Sequence, residues 1–103
     1  MDLFQALAEP RRRSILSLVW DREREAGEIH RASGDVTFGA VSQHLKVLRE
    51  AGAVRVRAEG RRRLYRADRA AIRRLLARLD RMWSDQLGRL RTLAEDDEKE
   101  NRR

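Results

Sequence analysis

The feature of this sequence that most constrains the fold is a change of hydrophobic period near its centre. Over residues 38–51 the apolar side chains recur at helical spacing, so Val41, Leu45 and Leu48 share one face of a predicted helix. Over residues 54–59 the period becomes two, because apolar residues alternate with Arg and Glu. A helix followed closely by a half-buried strand is therefore predicted.

A basic hairpin is predicted from the same stretch. A second strand is expected over 63–67, after a glycine-containing turn at 59–62. The consecutive residues Arg61, Arg62 and Arg63 give this hairpin a strongly basic tip.

Three predicted helices precede this unit, at about 2–8, 10–24 and 28–33. A tight turn joins the third of them to the helix at 38–51, for which Thr37 is the predicted N-cap. Two short helices joined by a turn and followed by a basic hairpin indicate a helix-turn-helix with a wing. The predicted fold class is mainly α with a two-stranded β wing.

A long last helix is predicted over 69–94, with Asp68 as its cap. One domain is therefore expected over 1–94, followed by a charged flexible tail at 95–103. The apolar stripe of this helix could pack on its own chain, but the preceding helices are too short to cover a helix of about 25 residues. A dimer interface is therefore favoured. Its predicted residues on this helix are Leu76, Leu79, Trp83, Leu90 and Leu93.

Positive charge is concentrated in the middle of the chain. The net charge is +7, and residues 37–66 alone carry eight Lys and Arg against two Glu. A local excess of this kind is typical of a surface that binds phosphate groups. A solvated basic surface explains the same charge, so charge alone does not decide between the two interpretations.

Composition argues against several other classes of function. The chain has no cysteine, which excludes disulfides, thiolate metal sites and cysteine nucleophiles. It also lacks a Gly-rich phosphate loop and a convincing Ser-His-Asp set, so no enzyme activity and no cofactor are expected. Neither a signal peptide nor a membrane helix is recognised, and the expected location is cytoplasmic.

The helix at 38–51 carries short hydrogen-bonding residues on its outward side. The major groove of B-DNA accepts an α-helix, and a Gln side chain can pair with adenine through two hydrogen bonds. Arginines at the hairpin tip can clamp phosphates or enter a narrow minor groove. The predicted DNA-binding residues are Thr37, Phe38, Ser42, Gln43, His44, Lys46, Arg61, Arg62 and Arg63. For the three arginines at 11–13, the sequence leaves two interpretations open, a contact with a DNA phosphate and a solvated surface.

Three segments of the chain resemble the ArsR-type bacterial repressors. Residues 41–52 (VSQHLKVLREAG) resemble that family's recognition helix, residues 4–16 (FQALAEPRRRSIL) its opening segment and residues 60–65 (GRRRLY) its wing. The resemblance implies a homodimer joined through the first and last helices, which adds Leu3 and Phe4 to the predicted dimer contacts. It also implies repression near a promoter and release by an effector, here unknown.

A two-fold dimer implies a double-stranded operator that is an imperfect palindrome. The family's metal sensors use cysteines in the third helix, whereas residues 28–33 contain no thiol. The only histidines are His30 and His44, so the chain resembles the branch without a metal site. The alternative function is a winged-helix module that binds a protein partner or binds nucleic acid nonspecifically.

Overall fold

The computed structural model describes residues 1–102 and shows a mainly helical chain with one small antiparallel sheet. Two compact units are present, residues 1–72 and residues 73–103. The elements are α1 (Leu3–Leu7), α2 (Pro10–Leu18), β1 (Arg24–Glu25), α3 (Ala26–Ala32), α4 (Phe38–Glu50), β2 (Val54–Glu59), β3 (Arg62–Ala67) and α5 (Arg69–Asn101). The predicted class, helices with a β wing, is confirmed.

The core of the first unit lies where α2, α3 and α4 meet the base of the hairpin. Val41 and Leu48 of α4 are fully buried and Leu45 is 1% exposed, which confirms the predicted buried face. Ile29 of α3 and Val19 after α2 are also fully buried beside them. The close packing of these side chains fixes α4 against the rest of the unit.

The hairpin register determines which side of the wing each residue occupies. Strands β2 and β3 pair from Val54 opposite Ala67 to Glu59 opposite Arg62, which leaves a two-residue turn. Gly60 in that turn has φ +60, a conformation that favours glycine. Because residues opposite each other in an antiparallel pair share a face, the hairpin has one face toward the core and one away from it.

The predicted second helix is too long. Instead of continuing to residue 24, α2 ends at Leu18, and residues 24–25 form the short strand β1, which pairs with β3. The Nε of Arg24 donates to the Leu18 carbonyl at 2.7 Å and so satisfies one carbonyl at the end of the helix. The sheet therefore has three strands in the order β1-β3-β2, and α3 begins at Ala26, two residues before its predicted start.

The last helix is longer than predicted. It begins after Asp68, whose side chain accepts from the Ala71 amide at 3.1 Å, and it runs to Asn101 rather than to residue 94. Residues 95–101, expected as a flexible tail, are therefore helical. An ion pair of 2.7 Å between Arg102 and Glu98, four residues apart, supports its end. That the DNA-binding and dimerisation domain ends at residue 94 stays a prediction.

We expect Leu48→Ala to lower the free energy of unfolding by about 2–5 kcal/mol, because it removes a fully buried side chain from the core. Chemical denaturation at one fixed protein concentration measures the change. Ser42→Ala, on the exposed side of the same helix, is the control and should stay within about 0.5 kcal/mol. Equal effects of the two substitutions would contradict the described core.

Candidate nucleic-acid interface

The start of α4 is fixed by its N-cap. The Oγ1 atom of Thr37 accepts a hydrogen bond from the Ala40 amide at 3.1 Å, and Thr37 itself has extended backbone angles. This confirms the predicted cap. The hydroxyl is therefore engaged in capping, while the side chain remains exposed beside the first turn of the helix.

Burial of one face of α4 exposes the other. Ser42, Gln43 and Lys46 are all exposed, at positions that turn away from the buried stripe. Gly39 is also exposed, and a Cβ atom at this position would meet nothing within 4 Å. Another molecule therefore has open access to the backbone of the first turn.

His44 lies apart from these residues. It is half-buried on the flank of α4 that faces α2. There it lines a groove of about 350 Å³ with Arg11, Ser14 and Ser33. The structure therefore separates His44 from the other predicted contacts of the helix.

A shallow concavity joins α4 to the hairpin, and we call it the α4–wing concavity. Its volume is about 400 Å³. Its lining includes Phe38, Ser42, Arg61, Arg62, Arg63 and Tyr65. Five of these six residues were predicted from the sequence as DNA contacts, and the tertiary structure brings residues of α4 together with residues of the hairpin tip.

Acidic residues neutralise three arginines of the wing. Arg62 forms an ion pair with Glu25, and Arg57 pairs with Glu23 at 2.6 Å and with Glu59 at 3.1 Å. The hydrogen bond that Arg62 donates to Glu25 raises the pKa of Arg62, and the bond that Arg57 donates to Glu23 likewise raises the pKa of Arg57. A third pair, of 3.1 Å, joins Arg55 to Asp68.

Sequence reasoning missed Glu23 and Glu25 as partners of the wing. Glu23 is 34 residues from Arg57, and Glu25 is 37 residues from Arg62. No local pattern links residues so far apart. Only the pairing of β1 with β3 brings the two acidic side chains to the hairpin.

Three other wing arginines, Arg61, Arg63 and Arg66, make no ion pair within residues 1–102. Arg63 stands opposite Ala58 and shares its face of the hairpin with Tyr65, whereas Arg62 occupies the other face, with Leu64. Adjacent arginines of the tip therefore have different surroundings. Arg61 and Arg63 are the exposed cations of the α4–wing concavity that have no acidic partner there.

The three arginines at 11–13 also differ in whether they have a partner within the chain. The Nε of Arg12 donates to the Ala6 carbonyl at 2.6 Å, and Arg13 donates to the carbonyls of Leu7 and Ala8 at 2.9 Å each. These two guanidinium groups therefore cap the carboxyl end of α1. Arg11 makes no ion pair among the described residues.

The predicted dimer contacts are mostly exposed within one chain. Leu3 is half-buried against the core of its own chain, whereas Phe4 is 54% exposed. On α5, Leu79 is half-buried, and the other members of the predicted stripe are exposed. These are Leu76, Trp83, Leu90 and Leu93. Met82 and Leu87 widen the exposed stripe.

Within residues 1–102, no group of three or more His, Cys, Asp or Glu side chains is arranged to hold a metal ion. None of the helices in the same part of the chain is both long and apolar enough to cross a membrane.

Comparison with known proteins identifies the family. A family model described as a helix-turn-helix domain matches residues 2–57, just over half of the chain. The solution structure of the homodimeric winged helix-turn-helix DNA-binding domain of Mb0332 from Mycobacterium bovis, a possible ArsR-family transcriptional regulator, is 34% identical, with a TM-score of 0.62. The match covers 81% of this chain and 76% of that one. The chain belongs to the ArsR-type winged helix-turn-helix regulators.

Other proteins described as transcriptional regulators are also similar. The HTH-type transcriptional regulator Rv2034 of Mycobacterium tuberculosis is 41% identical over 81 residues, which are 79% of this chain and 75% of that protein. A crystal structure of a possible transcriptional regulator for arsenical resistance is 39% identical, with a TM-score of 0.73. The match covers 87% of this chain and 93% of that one.

We expect Thr37→Ala to destabilise the protein by about 1 kcal/mol, because it removes the acceptor for the Ala40 amide at the start of α4. Thr37→Ser keeps a hydroxyl at the same place and serves as the matched control. Chemical denaturation of both variants measures the difference. Equal destabilisation by the two substitutions would show that the cap hydrogen bond is unimportant.

Proposed function

We propose that this protein is a homodimeric transcriptional repressor that binds a specific double-stranded operator. The α4–wing concavity is the observation that carries the proposal. It joins the exposed side of a helix that fits the major groove to two unpaired arginines on a hairpin tip. Membership of the ArsR-type family supports the same function.

The exposed side of α4 supplies chemistry that can read base edges. Gln43 offers an amide that can bond adenine at two atoms, and Ser42 can serve a base edge or a phosphate. Lys46, three residues further along the helix, adds a positive charge suited to the DNA backbone. Because Gly39 leaves space at the first turn, the helix can approach the floor of the groove closely.

Arg61 and Arg63 are proposed as the main backbone contacts of the wing. A guanidinium group that already pairs with a carboxylate must exchange that partner to bind a phosphate, whereas an unpaired one need not. Arg62 is therefore assigned mainly to holding the hairpin against Glu25. The sequence alone predicted all three tip arginines as DNA contacts, and this proposal distinguishes Arg62 from the other two.

The homodimer is supported by the apolar surface of α5. Leu76, Met82, Trp83, Leu87 and Leu90 are each at least half exposed. Large apolar patches of this kind mark interaction sites. A second copy is the proposed occupant, because the related Mb0332 domain is described as homodimeric. Two α4 helices about 34 Å apart would then read an imperfect palindrome.

The test of the function is sequence-specific binding to DNA. Duplexes enriched by the protein from a random pool, and the DNA upstream of its own gene, are compared with scrambled duplexes at about 150 mM salt. We expect a preference of at least about 10³-fold and a palindromic consensus. Binding that is equal for all sequences and falls steeply with salt would contradict the proposal and favour a nonspecific module.

Whether the protein represses or activates transcription is tested separately, with a reporter gene. In a reporter driven by a promoter that contains the selected operator, we expect expression to fall when the protein is present. Gln43→Ala is the control, because loss of a base contact should relax specificity by about 1–3 kcal/mol per site. Activation instead of repression would contradict the repressor role while leaving DNA binding intact.

We predict different effects for the three tip arginines. Arg61→Ala and Arg63→Ala should each reduce the slope of log affinity against log salt by about 2, because each removes one phosphate contact from both subunits of the dimer. Arg62→Ala should change the slope by less than half as much. Titrations at four salt concentrations measure the slopes. Equal changes for all three variants would refute the division between paired and unpaired arginines.

We predict that the wild-type protein sediments as a dimer at micromolar concentration. Leu90→Glu should shift it toward monomer, because it places a charge in the apolar stripe of α5. Arg89→Glu, at the neighbouring exposed position, is the matched control and should leave the dimer intact. Analytical ultracentrifugation distinguishes the species. A monomeric wild type would contradict the proposed assembly.

A further inference from the structure

Phe38 is an apolar side chain in an unusual place. It is 50% exposed, and between residues 5 and 75 it is the only large hydrophobic residue that is this exposed. The exposed positions that follow it on α4 are polar or small: Gly39, Ser42, Gln43 and Lys46. An exposed aromatic ring on a polar surface is a candidate contact for an apolar group of a partner.

The ring has a contact within its own chain that restricts its motion. Phe38 is the first residue of α4, directly after the N-cap Thr37. The edge contact between its ring and that of His30 has a centroid distance of 5.7 Å and an interplanar angle of 87°. Fixing the ring in advance reduces the entropy lost when a partner binds.

The surroundings of the ring limit the chemistry of that partner. Phe38 lines the α4–wing concavity together with Ser42 and the unpaired Arg61 and Arg63, and the Glu25 carboxylate in the same lining is paired with Arg62. These neighbours suit a phosphate-bearing ligand rather than an apolar protein surface. The apolar group that DNA presents at the base edges of the major groove is the C5 methyl group of thymine, which Phe can contact.

We propose that Phe38 is a specificity-determining residue that reads the C5 methyl group of a pyrimidine, normally thymine, in each operator half-site. This inference rests on the proposed function and deepens it. Ser42 and Gln43 would read hydrogen-bonding groups, while Phe38 adds a contact that depends on a methyl group alone. Burial of one methyl group corresponds to about a fourfold change in affinity.

The test uses duplexes that differ only in that methyl group. Each thymine of a duplex selected by the wild-type protein is replaced singly by deoxyuridine, which keeps the hydrogen-bonding groups and lacks the methyl. At the position that responds, cytosine and 5-methylcytosine are then compared. Affinities are measured for wild type, Phe38→Ala and Phe38→Leu, whose folding is checked by circular dichroism.

For the wild type, we expect deoxyuridine to weaken binding about three- to tenfold at one thymine or more in each half-site. At the same position 5-methylcytosine should bind more tightly than cytosine. Both differences should vanish in Phe38→Ala and persist in part in Phe38→Leu, which keeps an apolar side chain.

Two results would overturn this inference while leaving the proposed function intact. The first is a wild type for which deoxyuridine is neutral at every thymine of the selected duplex. The second is a methyl dependence that remains undiminished in Phe38→Ala. Failure of the wild type to enrich any sequence from the random pool would instead overturn the proposed function, and this inference with it.

Discussion

The burial of three residues on one face of α4 is the constraint on which the rest of the interface depends. Val41, Leu45 and Leu48 insert into the core, and their positions determine which side chains of the same helix remain in solvent. The end of this helix is also tied to the sheet. The Ala53 amide donates to the Leu48 carbonyl, and the Asp68 amide donates to the Ala53 carbonyl, each at 2.8 Å. The hairpin base is thereby held beside α4.

The geometry of the strands places the arginines of the wing on two different faces of the hairpin. Successive residues of a strand face opposite sides, so Arg62 and Arg63 enter different environments although they are neighbours in sequence. Strand β1 brings Glu25 to one of these sides and leaves the other without a carboxylate partner. The net charge of the hairpin therefore overstates the number of cations that are available to a phosphate.

The apolar side chains of α5 pose a different physical problem. They follow the spacing of a helix that packs against a partner, yet most of them are exposed within a single chain. In the described part of the chain, the exposed large hydrophobic residues outside α5 are Met1, Phe4 and Phe38. Association of two copies would remove this surface from water and would also set the distance between the two recognition helices. Assembly and DNA recognition are thus linked in the proposed function.

The sequence by itself determined the local features of this protein. Helical spacing predicted the buried face of α4, Thr37 predicted its start, and the two-residue period with Gly60 predicted the hairpin. Tertiary structure decided the features that depend on distant partners: the end of α2 at Leu18, the strand β1, and the ion pair of Arg62. Periodicity and capping act over a few residues and can be read from the chain. The pairing of β1 with β3 and the ion pair between Arg62 and Glu25 join residues 37 or more positions apart, so they are defined only once the chain has folded.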